Sequence, residues 1–133
     1  MNILLKQSIS IHVSAIGKAR CESLKFVKVG EIQPTTPDKH YALFGRSIHS
    51  GEKVAVARIW MSAFGGAEIH EHDSEHVFYI LKGGAKMFDG KETHYVEEGE
   101  SIIVEPGEPH AFTGNGRVDC EYIVVTAPPP TFK

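Results

Sequence analysis

The segment from Gly66 to Gly83 reads Gly-Ala-Glu-Ile-His-Glu-His-Asp-Ser-Glu-His-Val-Phe-Tyr-Ile-Leu-Lys-Gly. It contains His70, His72 and His76 and then continues as an apolar run typical of a β-strand. Residues i and i+2 of a strand point to the same face, so His70 and His72 would direct their imidazoles the same way, with backbones about 6.5–7 Å apart. This spacing suits a single metal ion, because zinc–nitrogen bonds are about 2.0–2.1 Å long.

His76 opens the predicted strand 77–81 and supplies a third candidate ligand. A β-bulge that shifted this strand by one residue would turn Glu75 inward in its place. A fourth candidate, His110, follows in Glu-Pro-Gly-Glu-Pro-His. The remaining histidines have no supporting context, and we expect them on the surface or in the core: His12, His40, His49 and His94.

These residues give the segment a resemblance to the first motif of the cupin superfamily, written G-x5-H-x-H-x3-E-x6-G. Gly83 closes the motif, and the position seven residues earlier holds His76, where the family most often has Glu. The opening glycine falls one or two places late, at Gly65 or Gly66. The departure at His76 would replace a carboxylate ligand with a neutral imidazole.

The second cupin motif, G-x5-P-x-G-x2-H-x3-N, is similar to the sequence from Gly99 onward. Gly99, Gly107 and His110 keep the family spacing, whereas the proline is shifted to Pro106 and the asparagine to Asn115. The resemblance covers roughly residues 50 to 127. It implies a fold and a metal site but not a reaction, because one fold serves many chemistries.

Composition limits the classes of function. The chain has 133 residues, 41% hydrophobic and 23% charged, with a net charge of −3, which suits one ordinary domain. There is no basic excess, so we expect no nucleic-acid or membrane partner. Two cysteines, Cys21 and Cys120, are too few for a disulfide framework, and we expect them to be reduced, small buried hydrophobes. Without a signal-peptide pattern or an apolar run near ~20 residues, we expect a cytoplasmic protein.

Turn signals about every ten residues predict short strands and no amphipathic helix. The predicted strands are 24–29, 41–48, 53–61, 77–81, 85–88, 92–96, 101–104 and 118–125, with Phe64-Gly65-Gly66 breaking the third and Asp89-Gly90-Lys91 forming a hairpin turn. Periodicity alone indicates a small antiparallel β domain. The resemblance implies an all-β jelly-roll barrel (double-stranded β-helix) over residues 24–127, after an extension (1–23) that adds an edge strand or a dimer contact, and before a tail (128–133).

Four imidazoles are neutral ligands, so a bound divalent ion would keep a charge near +2 and favour an anionic, chelating oxygen ligand. Imidazole suits Zn, Cu, Fe and Ni, and the resemblance makes Mn plausible as well. An octahedral ion would keep two open positions for a ligand. Tetrahedral zinc would be closed, as structural zinc sites are.

Other residues are candidates for the surroundings of the ion. Glu68 shares the parity of His70 and could act as a catalytic base or support a ligand, and its alternative is a solvated rim carboxylate. Arg58 could anchor a substrate carboxylate if its face of the strand is the inner one, which alternation does not decide. The apolar wall of the pocket would consist of Phe78, Ile80 and Phe112.

Two classes of function follow. The first is an enzyme acting on a small carboxylate, keto or diketone substrate by dioxygenation, decarboxylation or isomerisation at the metal. The second is a non-catalytic cupin that binds or senses a small ligand or the metal, with structural zinc as a third reading. We expect a homodimer, which a measured solution mass checks.

Overall fold

The computed structural model describes residues 24–129. The predictions for residues 1–23, for Cys21 and for the end of the tail lie outside the described residues. Between residues 24 and 129 the chain forms a 3₁₀ turn, Val29–Glu31, and eight strands: β1 His40–Ser50, β2 Ala55–Ala67, β3 Glu75–Lys82, β4 Gly84–Phe88, β5 Thr93–Glu97, β6 Ser101–Val104, β7 Ala111–Gly114 and β8 Cys120–Ala127. No helix in this range has the length and hydrophobicity that crossing a membrane requires.

The strands form one antiparallel, nearly closed sheet in the order β5-β4-β7-β2-β8-β3-β6, with β1 also paired to β2. Strand β2 is the centre of this arrangement. It pairs with β1 along its length, with β8 from Ala55 to Met61, and with β7 at Gly66. The predicted all-β jelly-roll barrel is therefore confirmed.

Alternation along the strands separates a packed interior from an outer face. In β2, Ile59, Met61 and Ala63 are buried, whereas Arg58 and Phe64 are exposed. Met61, Ile80 and Cys120 are fully buried, as expected for Cys120. A core drawn from residues between Leu43 and Tyr122 stabilises the barrel, because burying apolar surface is the main favourable term in folding.

Two predictions of local structure are wrong, and one strand was missed. Residues 24–28 form no strand, and Phe26 is 89% exposed. Strand β2 does not break at its two glycines, because Gly66 pairs with Tyr41 on one side and Thr113 on the other. Strand β7 was missed, since its sequence Ala-Phe-Thr-Gly contains a single large apolar residue.

Gly65 allows a close approach between β1 and β2. A Cβ at this position would lie 2.3 Å from the backbone oxygen of Ala42. Ala42 sits at a register shift between Tyr41 and Leu43 and has a φ of 51°. The bulge of β1 thus packs into space that only a glycine on β2 leaves open.

We predict that Gly65→Ala destabilises the protein by about 1–3 kcal/mol, because backbone atoms of the bulge must move to admit the methyl group. Urea denaturation measures the effect. The matched control is Gly30→Ala, whose added Cβ would meet nothing within 4 Å. Equal stability of the two variants would contradict the packing argument.

Candidate metal centre

Two segments distant in sequence form the site. His70 and His72 lie in the loop after β2, and His110 lies immediately before β7. The backbones of His70 and His110 form an isolated antiparallel bridge, with nitrogen-to-oxygen distances of 3.0 and 2.9 Å in its two hydrogen bonds. A further hydrogen bond of 2.8 Å runs from the Gly107 N–H to the His72 carbonyl. These bonds place the imidazoles of the two cupin-like motifs side by side.

The rings converge at one end of the barrel. The ligand atoms of His70, His72 and His110 all lie within 4.8 Å of one another. His76, from β3, places its Nε2 atom 2.6 Å from Nε2 of His72 and its ring centroid 5.4 Å from that of His110. Ligands of one ion with bonds near 2.1 Å are at most about 4.2 Å apart. The structure thus brings three histidines into a mutually close set and places His76 against it.

Backbone carbonyls orient two of these rings. The Nδ1 atoms of His70 and His110 donate to the carbonyl oxygens of Glu68 and Glu108, at 2.8 and 2.9 Å. A neutral imidazole that donates from Nδ1 carries its lone pair on Nε2. Such hydrogen bonds are the usual support of metal-binding histidines, since they fix both the tautomer and the ring orientation.

The rings of His72 and His76 are not held by backbone carbonyls but lie against each other. Nδ1 of His76 lies 2.9 Å from the hydroxyl oxygen of Thr126, and Nδ1 of His72 is buried without a hydrogen-bond partner among the described residues. Because two lone pairs repel at 2.6 Å, one Nε2 of the His72–His76 pair must carry a proton. An ion bound by both rings would take the place of that proton.

Burial favours the neutral form of His72, His76 and His110. It lowers the pKa of His76 to about 3, with a further contribution from the neighbouring imidazoles, His72 foremost. Burial also lowers the pKa of His72, as does His70, and lowers the pKa of His110. Neutral imidazole is the form that binds metals, so this donor set fits a divalent ion of the kind that nitrogen ligands prefer.

Burial shows which of Glu75 and His76 faces the interior. His76 is 9% exposed and faces the interior, whereas Glu75 is exposed. Beneath His76 lies an aromatic floor of Phe78, Phe112 and Tyr122, with ring centroids 4.7 to 5.7 Å apart. Phe78 and Phe112 were predicted to line the site, as was Ile80, which is fully buried in the same core. Tyr122 was not anticipated.

Two predicted site residues lie elsewhere. Arg58 is on the outer face of β2, where it forms an ion pair of 3.4 Å with Glu121, so the condition for its role as an anchor inside the pocket is not met. The side chain of Glu68 is exposed, and it is the backbone carbonyl of this residue that contacts His70. This placement matches the solvated rim carboxylate.

Sequence reasoning missed two neighbours of the site. Thr126 faces His76 because the two residues are paired across β8 and β3, and its position could be found only from the register. His40, assigned to surface or core, has its ring centroid 6.3 Å from that of His70. No motif marks His40, since its position depends on the pairing of β1 with the distant end of β2.

Comparison with known proteins finds a family model that matches this chain. Residues 61–126 match the family model described as "Cupin domain". No curated protein is significantly similar in sequence.

Several solved structures share the fold. The polyketide cyclase RemF from Streptomyces resistomycificus is 24% identical, with a TM-score of 0.71 over 80% of this chain and 82% of that chain. A structure described as a predicted oxalate decarboxylase from Thermotoga maritima is 21% identical, with a TM-score of 0.70 over 79% and 100% of the two chains. An RmlC-like cupin from Shewanella frigidimarina is 18% identical, with a TM-score of 0.70 over 80% and 93%. At these identities the likeness concerns the fold.

We predict that the metal-free protein loses stability as the pH falls below about 6.5, the pKa of histidine in an unfolded chain. Below that pH the unfolded chain binds protons that His76, with its pKa near 3, does not bind in the folded state. The loss therefore continues down to about pH 3. Urea denaturation of chelator-treated protein between pH 7.5 and 4 measures it.

The variant His76→Gln removes this contribution and should show a shallower dependence of stability on pH. His49→Gln, at an exposed position, is the control and should keep the dependence of the native chain. Identical pH dependence in both variants would show that His76 does not contribute.

We predict that Thr126→Val weakens metal binding by roughly 10-fold, because loss of the hydrogen-bond partner of a metal-binding histidine typically costs 10–100-fold. Isothermal titration of metal into the metal-free protein measures the affinity. Thr93→Val, at an exposed position of β5, should leave it unchanged, and a matching decrease there would refute the role of Thr126.

Proposed function

Because the chain belongs to the cupin superfamily, we propose that His70, His72, His76 and His110 bind one divalent metal ion and, with it, a small anionic, oxygen-rich ligand on which the protein acts as an enzyme. The observation that carries the proposal is the orientation of the rings. Nε2 is the free nitrogen of His70 and His110, and the ligand atoms of these two and of His72 lie within 4.8 Å of one another.

Charge supports an anionic ligand. The mutually close set contains only histidines, and an imidazole carries no charge when it binds a metal ion. An ion held by neutral ligands keeps its full charge in a partly desolvated place, where an unbalanced charge is costly. A carboxylate, enolate or similar oxygen anion would offset that cost.

The packing of the interior limits the ligand to a small molecule. The aromatic floor of Phe78, Phe112 and Tyr122 fills the barrel beneath the histidines, with these side chains 5–7% exposed. His72 is only partly buried. A ligand would therefore approach from the solvent side and rest near the mouth of the barrel.

The reaction classes we propose are dioxygenation, decarboxylation and isomerisation. A divalent ion would act as a Lewis acid toward a carbonyl or carboxylate oxygen. The histidines would hold and orient the ion, and the apolar floor would exclude water from one side of the ligand. The structural neighbours described as a polyketide cyclase and a predicted oxalate decarboxylase differ in reaction, which supports the fold as a scaffold but selects no reaction.

A second candidate is a non-catalytic cupin that binds or senses a small ligand or the metal. It is favoured by the composition of the mutually close set, in which no described carboxylate takes part. The exposed carboxylate of Glu68 offers no positioned base. The expected homodimer and cytoplasmic location stay predictions.

We predict that the protein binds one divalent ion per chain and that His72→Ala or His110→Ala weakens binding more than the roughly 10–100-fold caused by loss of a supporting hydrogen bond. The measurements are elemental analysis of protein purified without added metal, and titration with Mn, Fe(II), Ni, Zn and Cu. His49→Ala, at an exposed position, should bind like the native chain. Equal binding by all variants would refute the metal site.

Turnover separates the two candidate functions. Metal-loaded protein is incubated with oxalate, a keto acid or a β-diketone while oxygen uptake and substrate loss are followed. Turnover that disappears in His72→Ala supports the enzyme. Ligand-dependent thermal stabilisation without turnover supports the binding protein, and tight zinc without any exchangeable ligand supports structural zinc.

A further inference from the structure

His40 lies beside the metal centre but outside its mutually close set. It is the first residue of β1 and pairs with Ala67, the last residue of β2. Its ring centroid is 6.3 Å from that of His70, and the two rings meet edge to face at 68°. His40 thus belongs to the rim of the centre, next to the candidate ligand nearest to β1.

The ring of His40 is held in the same way as two of the candidate metal ligands. Its Nδ1 lies 2.8 Å from the carbonyl oxygen of Asp38, two residues earlier. His70 and His110 make the same contact with residues 68 and 108. When Nδ1 donates to this carbonyl, Nε2 of His40 becomes a lone-pair acceptor with a fixed ring orientation.

The backbone on both sides of His40 departs from regular extended geometry. Lys39 and Ala42 have φ angles of 64° and 51°, in the left-handed region that residues other than glycine rarely occupy. Ala42 also forms the bulge of β1, for which Gly65 leaves room. Bulges and strained residues often occur beside functional sites, where a bulge redirects a side chain.

We propose that His40 contacts the bound ligand rather than the metal, and that its Nε2 accepts a hydrogen bond from an N–H or O–H group next to the metal-binding oxygen of that ligand. This inference rests on the proposed metal-binding function. It makes His40 a specificity-determining residue that favours ligands with such a donor over ligands that have only oxygen acceptors. His40 would leave the affinity for the metal itself unchanged.

Two probes with similar chelating oxygens test this. Acetohydroxamate carries an N–H beside its metal-binding oxygens, and oxalate at pH 7 carries no donor. Calorimetry with nickel-loaded protein compares the native chain, His40→Phe and His40→Gln. His40→Phe removes the acceptor but keeps a ring, and His40→Gln keeps an amide oxygen at a similar reach. His40→Leu serves as a second variant without an acceptor should the phenyl ring disturb folding.

We expect the variants without an acceptor to bind acetohydroxamate roughly 3- to 10-fold more weakly, the effect of one hydrogen bond. Oxalate affinity and nickel stoichiometry should stay at native values, and His40→Gln should recover most of the loss. Two outcomes with full nickel occupancy would overturn the proposed role of His40: unchanged acetohydroxamate binding in the variants, or an equal loss of affinity for both probes. Neither outcome would affect the proposed metal site. Failure of the native chain to bind nickel or any other divalent ion would overturn the proposed function together with it.

Discussion

The short backbone bridge between His70 and His110 is the constraint on which the site depends. It joins a loop that leaves the longest strand to the start of a four-residue strand about forty positions later, through two hydrogen bonds of ordinary length. Each segment orients its own ring through a local hydrogen bond, but only the bridge fixes the distance between the two rings. With the bridge formed, the barrel fixes the relative position of rings contributed by β3, by the loop after β2 and by the approach to β7.

Much of the site was predictable because it is encoded locally. The spacing of His70 and His72 implied a common direction, His76 opened the next predicted strand, and the two motif resemblances linked these residues to His110. The fold class followed from short strands and regular turns. These features depend on periods of two residues and on turn chemistry, both of which are properties of contiguous sequence.

The features that could not be predicted from the sequence are those that depend on pairing between distant strands. Alternation in β2 could not tell whether Arg58 or Ile59 faces inward, because both faces carry apolar residues. Gly65 and Gly66 suggested a break, yet neighbouring strands on both sides carry β2 through them. Thr126 and His40 reach the centre through register, and register follows from tertiary packing.

The aromatic floor has a consequence for how the protein would keep its ion. Phe78, Phe112 and Tyr122 belong to the hydrophobic core, and the ring of His76 packs against Phe78, with the two centroids 5.5 Å apart. In small zinc domains the ion is itself the core, so folding and loading are one event. Here the barrel has a hydrophobic core of its own, and Nε2 of His72 lies 2.6 Å from Nε2 of His76. A divalent ion bound by these histidines would therefore add to a barrel whose core is built from side chains, and exchange of one ion for another would not require refolding.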